Sequence, residues 1–363
     1  MRKLDRIRLE GFKSIRETEM ELRLLNILIG ANGAGKSNFI SAFRMLNQLV
    51  ERHLQSFVGK AGGADALLHF GHRTTDRINV ELTFGVNAFK CVLVPSARDT
   101  LIFDEEVCLF ERENFTQPHF ENLGGGHRES KLEEFARFPV VFYVLKIMRD
   151  WRVYHFHDTS DSAKVKKTGD INDNETLRAD ASNLAAFLYR LRESHAAHYK
   201  KIVQTIRLAA PFFDDFILRP SGLNPDKIRL EWKEKDSDVY MNASALSDGT
   251  LRFMCLTTLL MQPAELLPST ILIDEPELGL HPYAIGLLAG MLQSTATKTQ
   301  IIVSTQSVPL VNQFTPEDLV VVDREEGQSV FKRLDARDLS GWLEEYGLGE
   351  LWEKNVIGGR PSR

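Results

Sequence analysis

The residues best suited to chemistry form a glycine-rich run, Gly30-Ala-Asn-Gly-Ala-Gly-Lys36-Ser37, which fits G-x-x-x-x-G-K-[ST]. Gly30, Gly33 and Gly35 let the backbone turn tightly and bring N–H groups close to phosphate oxygens. Asn32, Ala34 and Asn38 complete the expected nucleotide cradle. Lys36 is expected to reach the β- and γ-phosphates, and the Ser37 hydroxyl to bind magnesium. The context agrees with this reading. The apolar run Leu25–Ile29 precedes the loop, and a helical pattern follows with Phe39, Phe43, Leu46 and Val50 on one face. A helix starting near Lys36 points its positive dipole end at the phosphates. A plain glycine-rich turn would not need strand, loop and helix to agree.

A second acidic element completes the pattern. Ser269–Pro276 is a β-branched apolar run ending in Asp274 and Glu275. A buried parallel strand would carry Asp274 to the carboxyl edge of a sheet, where ligands of α/β proteins bind. There Asp274 holds the metal, directly or through water, and Glu275 orients or deprotonates the attacking water. Upstream, Leu246-Ser-Asp-Gly-Thr-Leu-Arg252 places Ser247 and Gly249 just before an apolar helix, a second helix N-terminus able to meet an anion. Taken alone, Ser247 would read as an ordinary N-cap.

Around these motifs the chain reads as follows. Arg6–Leu9 and Glu17–Leu22 flank the turn Gly11-Phe-Lys-Ser14 as opening strands, and Gly59–Asp65 reads as a loop. Arg77–Phe84, Ala88–Val94 and Thr100–Leu109 alternate as strands of an antiparallel meander. Thr116–Ser130 reads as loop, Ser130–Glu133 as a capping box opening a helix, and Pro139 as a helix start or break. Trp151–His157 reads as a strand, Asp158–Thr176 as loop, Asn183–Arg192 and His195–Ala209 as helices, and Phe212–Leu218 and Ile228–Trp232 as strands. Leu319–Val321 and Ser329–Leu334 are strands, followed by an amphipathic helix through Leu339, Trp342, Leu343 and Tyr346.

Composition narrows the class. The 363 residues are 43% hydrophobic and 26% charged, ordinary for a globular protein with ample core. A net charge of −5 does not announce a nucleic-acid binder, although a local basic patch stays open. The three cysteines, Cys91, Cys108 and Cys255, have no metal-ligand spacing and suit a reducing compartment. The sequence carries no signal-peptide pattern and no apolar run long enough for a bilayer, so the expected location is the cytoplasm, with no membrane partner.

The order of motifs, from Gly30–Asn38 through Leu246–Arg252 and Leu272–Pro282 to Ile301–Ser307, with Phe12-Lys13-Ser14 at the start, resembles the ATP-binding-cassette (ABC) heads of the RecF/SMC/OLD group. It is most similar to the stand-alone "AAA-family" ATPases, because no coiled-coil pattern is present. The resemblance implies an α/β P-loop NTPase fold with an ABC-type head, an inserted antiparallel β meander and a helical lobe. One head is expected over 1–363, comprising a Walker A lobe (1–60), a β and helical insertion (61–240), a signature and Walker B lobe (241–335) and a C-terminal helix and tail (336–363). It further implies Mg²⁺-dependent ATP hydrolysis by a homodimer that sandwiches two ATP molecules, with Lys36 and Glu275 catalytic. Ser247 and Gly249 would act in trans on the nucleotide held by the partner's Lys36. The implied role is DNA-linked, in repair or anti-phage defence. The alternative is a nucleotide-gated module that controls an effector protein with slow turnover, and a transporter subunit fits the signature less well.

The sequence departs from the group's pattern at the switch position, where Gln306 stands in place of the usual histidine. The glutamine that commonly links nucleotide to lobe movement has only Gln48, Gln55 and Gln117 as candidates. His155 and His157 share a strand face and could form a metal pair, but no third ligand accompanies them, so a strand end near the nucleotide is preferred. Asp170-x-Asn172-x-Asn174 lacks the glycine and closing glutamate of a calcium loop. Lys164, Lys166 and Lys167 read as a solvated loop with phosphate-backbone contact as the alternative, and Arg178 could project toward nucleotide or DNA. Asp323, Glu325 and Glu326 read as a solvated turn rather than a nuclease site.

Overall fold

The computed structural model describes residues 3–111 and 119–359. Two six-stranded sheets dominate it. The first is antiparallel, in the order Ile15–Glu21, Arg6–Phe12, Ile78–Phe84, Asn87–Pro95, Leu101–Phe110, His119–Gly124. The expected meander is present, and it extends the opening hairpin: Ile7 pairs with Met20 on one side and with Leu82 on the other. The second sheet runs Gln328–Arg333, Leu319–Glu325, Leu25–Ile29, Gln300–Thr305, Thr270–Asp274, Trp151–Tyr154. It is parallel except for the hairpin at its start.

The parallel strands are buried on both faces, as their unbroken apolar runs require. Alternate residues serve two cores. Leu28, Leu272, Ile302, Val320 and Val322 face the helix Lys36–Val50, the helix Pro139–Arg149 and the antiparallel sheet. Ile27, Ile29, Ile271, Ile273, Ile301, Val303 and Val321 face the opposite core. That second core is built from the helices Leu184–Ser194, Ala196–Ala209, Asp248–Met261 and Pro282–Ala296 and the C-terminal helices. Phe39, Phe43, Leu46 and Val50 of the Walker A helix are all buried, as their spacing predicts.

Several local expectations are corrected. Gly59 lies inside the helix Leu54–Ala61, which ends at Gly62 in the left-handed region (φ +96°). Part of the expected loop Thr116–Ser130 is the strand His119–Gly124, whose polar residues pair with Leu101–Phe110. Ser130 caps no helix: its hydroxyl donates to Glu106, and the helix begins instead with Pro139 at its first position. The strand at Trp151 stops at Tyr154, because the His155 N–H turns away to the carbonyl of Ala179. Ile228–Trp232 divides into Lys227–Ile228, paired with Gly169–Asp170, and Glu231–Glu234, paired with Phe213–Ile217. Cys91, Cys108 and Cys255 are buried free thiols.

Candidate functional site

The glycine-rich loop emerges from the strand Leu25–Ile29 at the carboxyl edge of the parallel sheet. Gly35 caps the following helix in the left-handed region, at φ +118°. A Cβ there would lie 1.9 Å from the Ser329 hydroxyl, so only glycine fits. A directed chain of hydrogen bonds holds the loop from behind. Asn38 Nδ2 donates to Ser14 Oγ (2.7 Å), which lies 2.7 Å from Ser329 Oγ, and Ser329 Oγ donates to the Ala34 carbonyl (2.6 Å). Ser329 has one hydroxyl proton and gives it to Ala34, so Ser14 is the donor between the two serines. Arg324 adds a bond from Nη1 to the Gly33 carbonyl at 3.3 Å. Asn32, Gly33 and Ser37 remain exposed on the open side of the loop.

Lys36 is buried, and its ammonium donates to the carbonyls of Gly30 (2.6 Å) and Ala31 (3.0 Å). Burial holds its pKa below the ordinary lysine value, while the carboxylates of Glu275, Asp274 and Glu277 pull the other way. The lysine charge therefore sits among three acids and neutral carbonyls, a position from which a phosphate oxygen could draw it.

Asp274 ends the strand Thr270–Asp274, in register with Ser304 of the neighbouring strand. Its Oδ1 is buried and has no hydrogen-bond partner among the described residues, as a carboxylate oxygen reserved for a cation would be. Its carbonyl accepts from His157 Nε2 at 2.8 Å. Glu275 adopts φ +45°, a left-handed conformation costly for a residue with a side chain. Its N–H donates to the Ser304 carbonyl at 2.8 Å, and its carboxylate accepts from the Gln306 side-chain amide. Gln306 therefore lies against Glu275 at the position expected to act as a switch.

Glu277, which the motif reading did not single out, is the third acid of the site. Its Oε1 accepts from Thr305 Oγ1 (2.5 Å) and the Gln306 N–H (3.2 Å), while Oε2 is buried without a partner. Burial raises its pKa above the usual carboxylate value. The Asp-Glu-Pro-Glu spacing was the available signal for it.

Ser247 caps the helix Asp248–Met261, accepting from the Thr250 N–H at 3.2 Å, yet remains exposed. Gly249 packs so closely on the turn after Glu277 that a Cβ would lie 2.2 Å from the Gly279 carbonyl oxygen. Arg252, one turn on, reaches three carbonyls outside its own helix: Phe156 (3.1 Å), His157 (2.9 Å) and Leu278 (2.8 Å).

The remaining features fall into place around this centre. Gln55 ties its helix to the antiparallel sheet through the carbonyls of Leu101 and Arg128, and Gln48 lies on the Walker A helix. Gln117 lies outside the described residues. The side chain that reaches the end of the Asp274 strand, from the segment just after the adjacent edge strand Trp151–Tyr154, is His157. Among the described residues no cluster of three His, Cys, Asp or Glu could hold a metal, so His155 and His157 gain no third ligand. Arg178 pairs with Asp173, Lys164 with Asp180 and Lys166 with Asp161, so acids meet two of the three lysines of the small basic run. No helix among the described residues is long and apolar enough to cross a membrane.

Fold and site define a P-loop nucleotide-binding head of the ABC type. The sequence profile of the family described as "AAA domain, putative AbiEii toxin, Type IV TA system" matches residues 25–312, well over half of the chain, and the chain belongs to that family. No curated protein matches it. Among solved structures it is similar to an SMC head bound to the C-winged helix domain of ScpA, with 14% identity, 93% of this chain and 99% of that chain covered, and a TM-score of 0.57. The head from Pyrococcus yayanosii, with a coiled coil and joint, gives 11% identity, 95% and 99% coverage, and a TM-score of 0.55. The head from Pyrococcus furiosus, with an extended coiled coil and bound to the C-terminal domain of ScpA, gives 14%, 95% and 99%, and 0.54. At these identities the likeness is one of fold, the SMC-head P-loop NTPase fold.

Proposed function

We propose that this protein binds Mg-ATP and hydrolyses it to ADP and phosphate, with two copies closing around two nucleotides. The observation that carries the reading is the unpartnered buried Oδ1 of Asp274, a carboxylate whose charge acts on the buried Lys36, which itself rests on backbone carbonyls. Lys36 would exchange those carbonyls for phosphate oxygens. Ser37 and Asp274 would hold magnesium, which supplies positive charge against the phosphates. Glu275 takes the proton of the attacking water, held in its rotamer by Gln306.

The dimer reading rests on the signature turn. Ser247 is exposed at a helix N-terminus, and beside Gly279 the apolar side chains of Leu278 and Tyr283 stay exposed. ATP, with its γ-phosphate, would be the ligand with differential affinity for the closed state. Light scattering on Glu275→Gln tests this: the variant should keep ATP and block turnover. The expected result is a doubling of mass with Mg-ATP that Ser247→Arg abolishes. An unchanged mass with ATP bound overturns the sandwich.

For the process served, we infer a DNA-linked role from the likeness to SMC heads. Its test is DNA binding that strengthens with ATP and weakens with salt. The Gln306–Glu275 contact favours a second reading, an ATP-gated module for an effector protein, because a neutral amide cannot carry the charge of a switch histidine. Hydrolysis much slower than nucleotide-dependent partner capture would select it.

A further inference from the structure

We infer that Arg252 is a positioning residue for the partner's nucleotide: it anchors the Ser247–Gly249 turn of one protomer to that protomer's own Walker B flank. The inference rests on the sandwich reading above and assigns a residue to it. Arg252 lies near the N-terminus of the helix Asp248–Met261, where the helix dipole disfavours a cation. It does not cap the helix, because Ser247 already does so. No acid pairs with it among the described residues. Its planar fork instead spans two separate chain segments, donating from Nε to Phe156, from Nη2 to His157 and from Nη1 to Leu278.

The two ends of this link are not equally secure. The Phe156–His157 segment is fixed without Arg252. It follows the strand Trp151–Tyr154, whose Tyr154 pairs with Ile273; the His155 N–H is bonded to Ala179, and His157 is bonded to the Asp274 carbonyl. The signature turn is exposed and meets the same region through the tight approach of Gly249 to Gly279. The end that Arg252 holds in place is therefore the signature helix start. In a sandwich that start faces the nucleotide of the other protomer. Loss of Arg252 should leave a protomer's own Lys36, Asp274 and Glu275 competent and spoil the site across the interface.

Mixing variants tests this. Arg252→Gln alone should bind a fluorescent ATP analogue with unchanged affinity and lose kcat by about tenfold at unchanged KM. Arg252→Lys, with a cation but no fork, should recover only part of that loss. Arg252→Gln is then mixed with Lys36→Ala, which lacks nucleotide binding but presents an intact signature. ATPase activity well above the sum of the two separate proteins is the expected result. A parallel mixture of Ser247→Arg with Lys36→Ala reports on the sandwich itself. Recovery there without recovery for Arg252→Gln places Arg252 in its own site and overturns the inference. No recovery in either mixture overturns the sandwich, and the inference with it. Equal melting temperatures of Arg252→Gln and wild type establish that a lost signal is not lost folding.

Discussion

In the proposed mechanism Glu275 orients water only while its rotamer is held, and the group that contacts its carboxylate is Gln306. Glu275→Gln should lower kcat by about 10²–10⁴-fold, the usual contribution of a general base, with ATP still bound. Gln306→Ala should lose less, on the order of 10- to 100-fold, because it displaces the base without removing it. KM for ATP should stay unchanged in both. Phosphate release under steady-state conditions measures this, and a wild-type rate for Gln306→Ala would show that the contact does not orient Glu275. At this scale the sequence was informative wherever function compresses into a short run: the phosphate loop, Asp274 and Glu275 could be named from spacing alone. The bonding roles of Glu277, Ser14, Ser329 and His157 could not, although Ser14 stands in the opening motif and His157 is expected at a strand end near the nucleotide. Their partners lie 28, 24, 295 and 117 positions away in the chain, and only the tertiary fold brings them together.

Elements were legible where one period governed them, as in the Walker A helix and the alternating strands of the meander. They were missed where a tertiary partner outweighed the local signal. Ser130 carries a capping-box pattern, yet its hydroxyl serves Glu106, a fully buried carboxylate that also accepts from the Lys131 N–H (2.9 Å) and His127 Nε2 (3.0 Å). Burial raises the Glu106 pKa above 4.5, against the pull of those donors. The sign follows from linkage. The folded protein holds this proton to higher pH than the unfolded chain does, so the contribution is complete below the unfolded value and is lost as pH rises through the folded one. Between those limits Glu106 makes the melting temperature fall with rising pH, and Glu106→Gln should flatten that part of the profile. Identical profiles would mean that the carboxyl titrates alike in both states. The close approach at the signature turn carries a separate expectation. Gly249→Ala places a methyl 2.2 Å from the Gly279 oxygen, so helix and turn must part. ATP binding should survive, while the Mg-ATP-dependent mass shift of the Glu275→Gln background should weaken or vanish. A full shift would show that the turn tolerates displacement.

At the scale of the whole molecule, the parallel sheet is one wall shared by two cores. Leu272 points into the core with the antiparallel sheet, and Ile273, its neighbour in the same strand, into the core with the signature helix. The strand that delivers Asp274 therefore cannot be disturbed from one side alone. The first core holds Trp151 and the second Trp232 and Trp352, so the two can be followed separately once Trp352 and the exposed Trp342 are changed to phenylalanine. Leu272→Ala and Ile273→Ala each remove a fully enclosed side chain and should cost about 2–5 kcal/mol. With the sheet as a common wall, the loss on either side should be felt by both cores. Each variant should melt at a lower temperature than the parent in one transition, with coincident far-ultraviolet dichroism and tryptophan fluorescence. With Trp342 and Trp352 changed to phenylalanine throughout, further replacing Trp151 or Trp232 leaves a single reporter in one core, and the two melting curves should coincide. A melt that splits, with the Trp232 core opening while the Trp151 core persists, would mean that the signature side unfolds independently of the phosphate-loop side. Relay between the two through the shared strand would then have no rigid element to carry it.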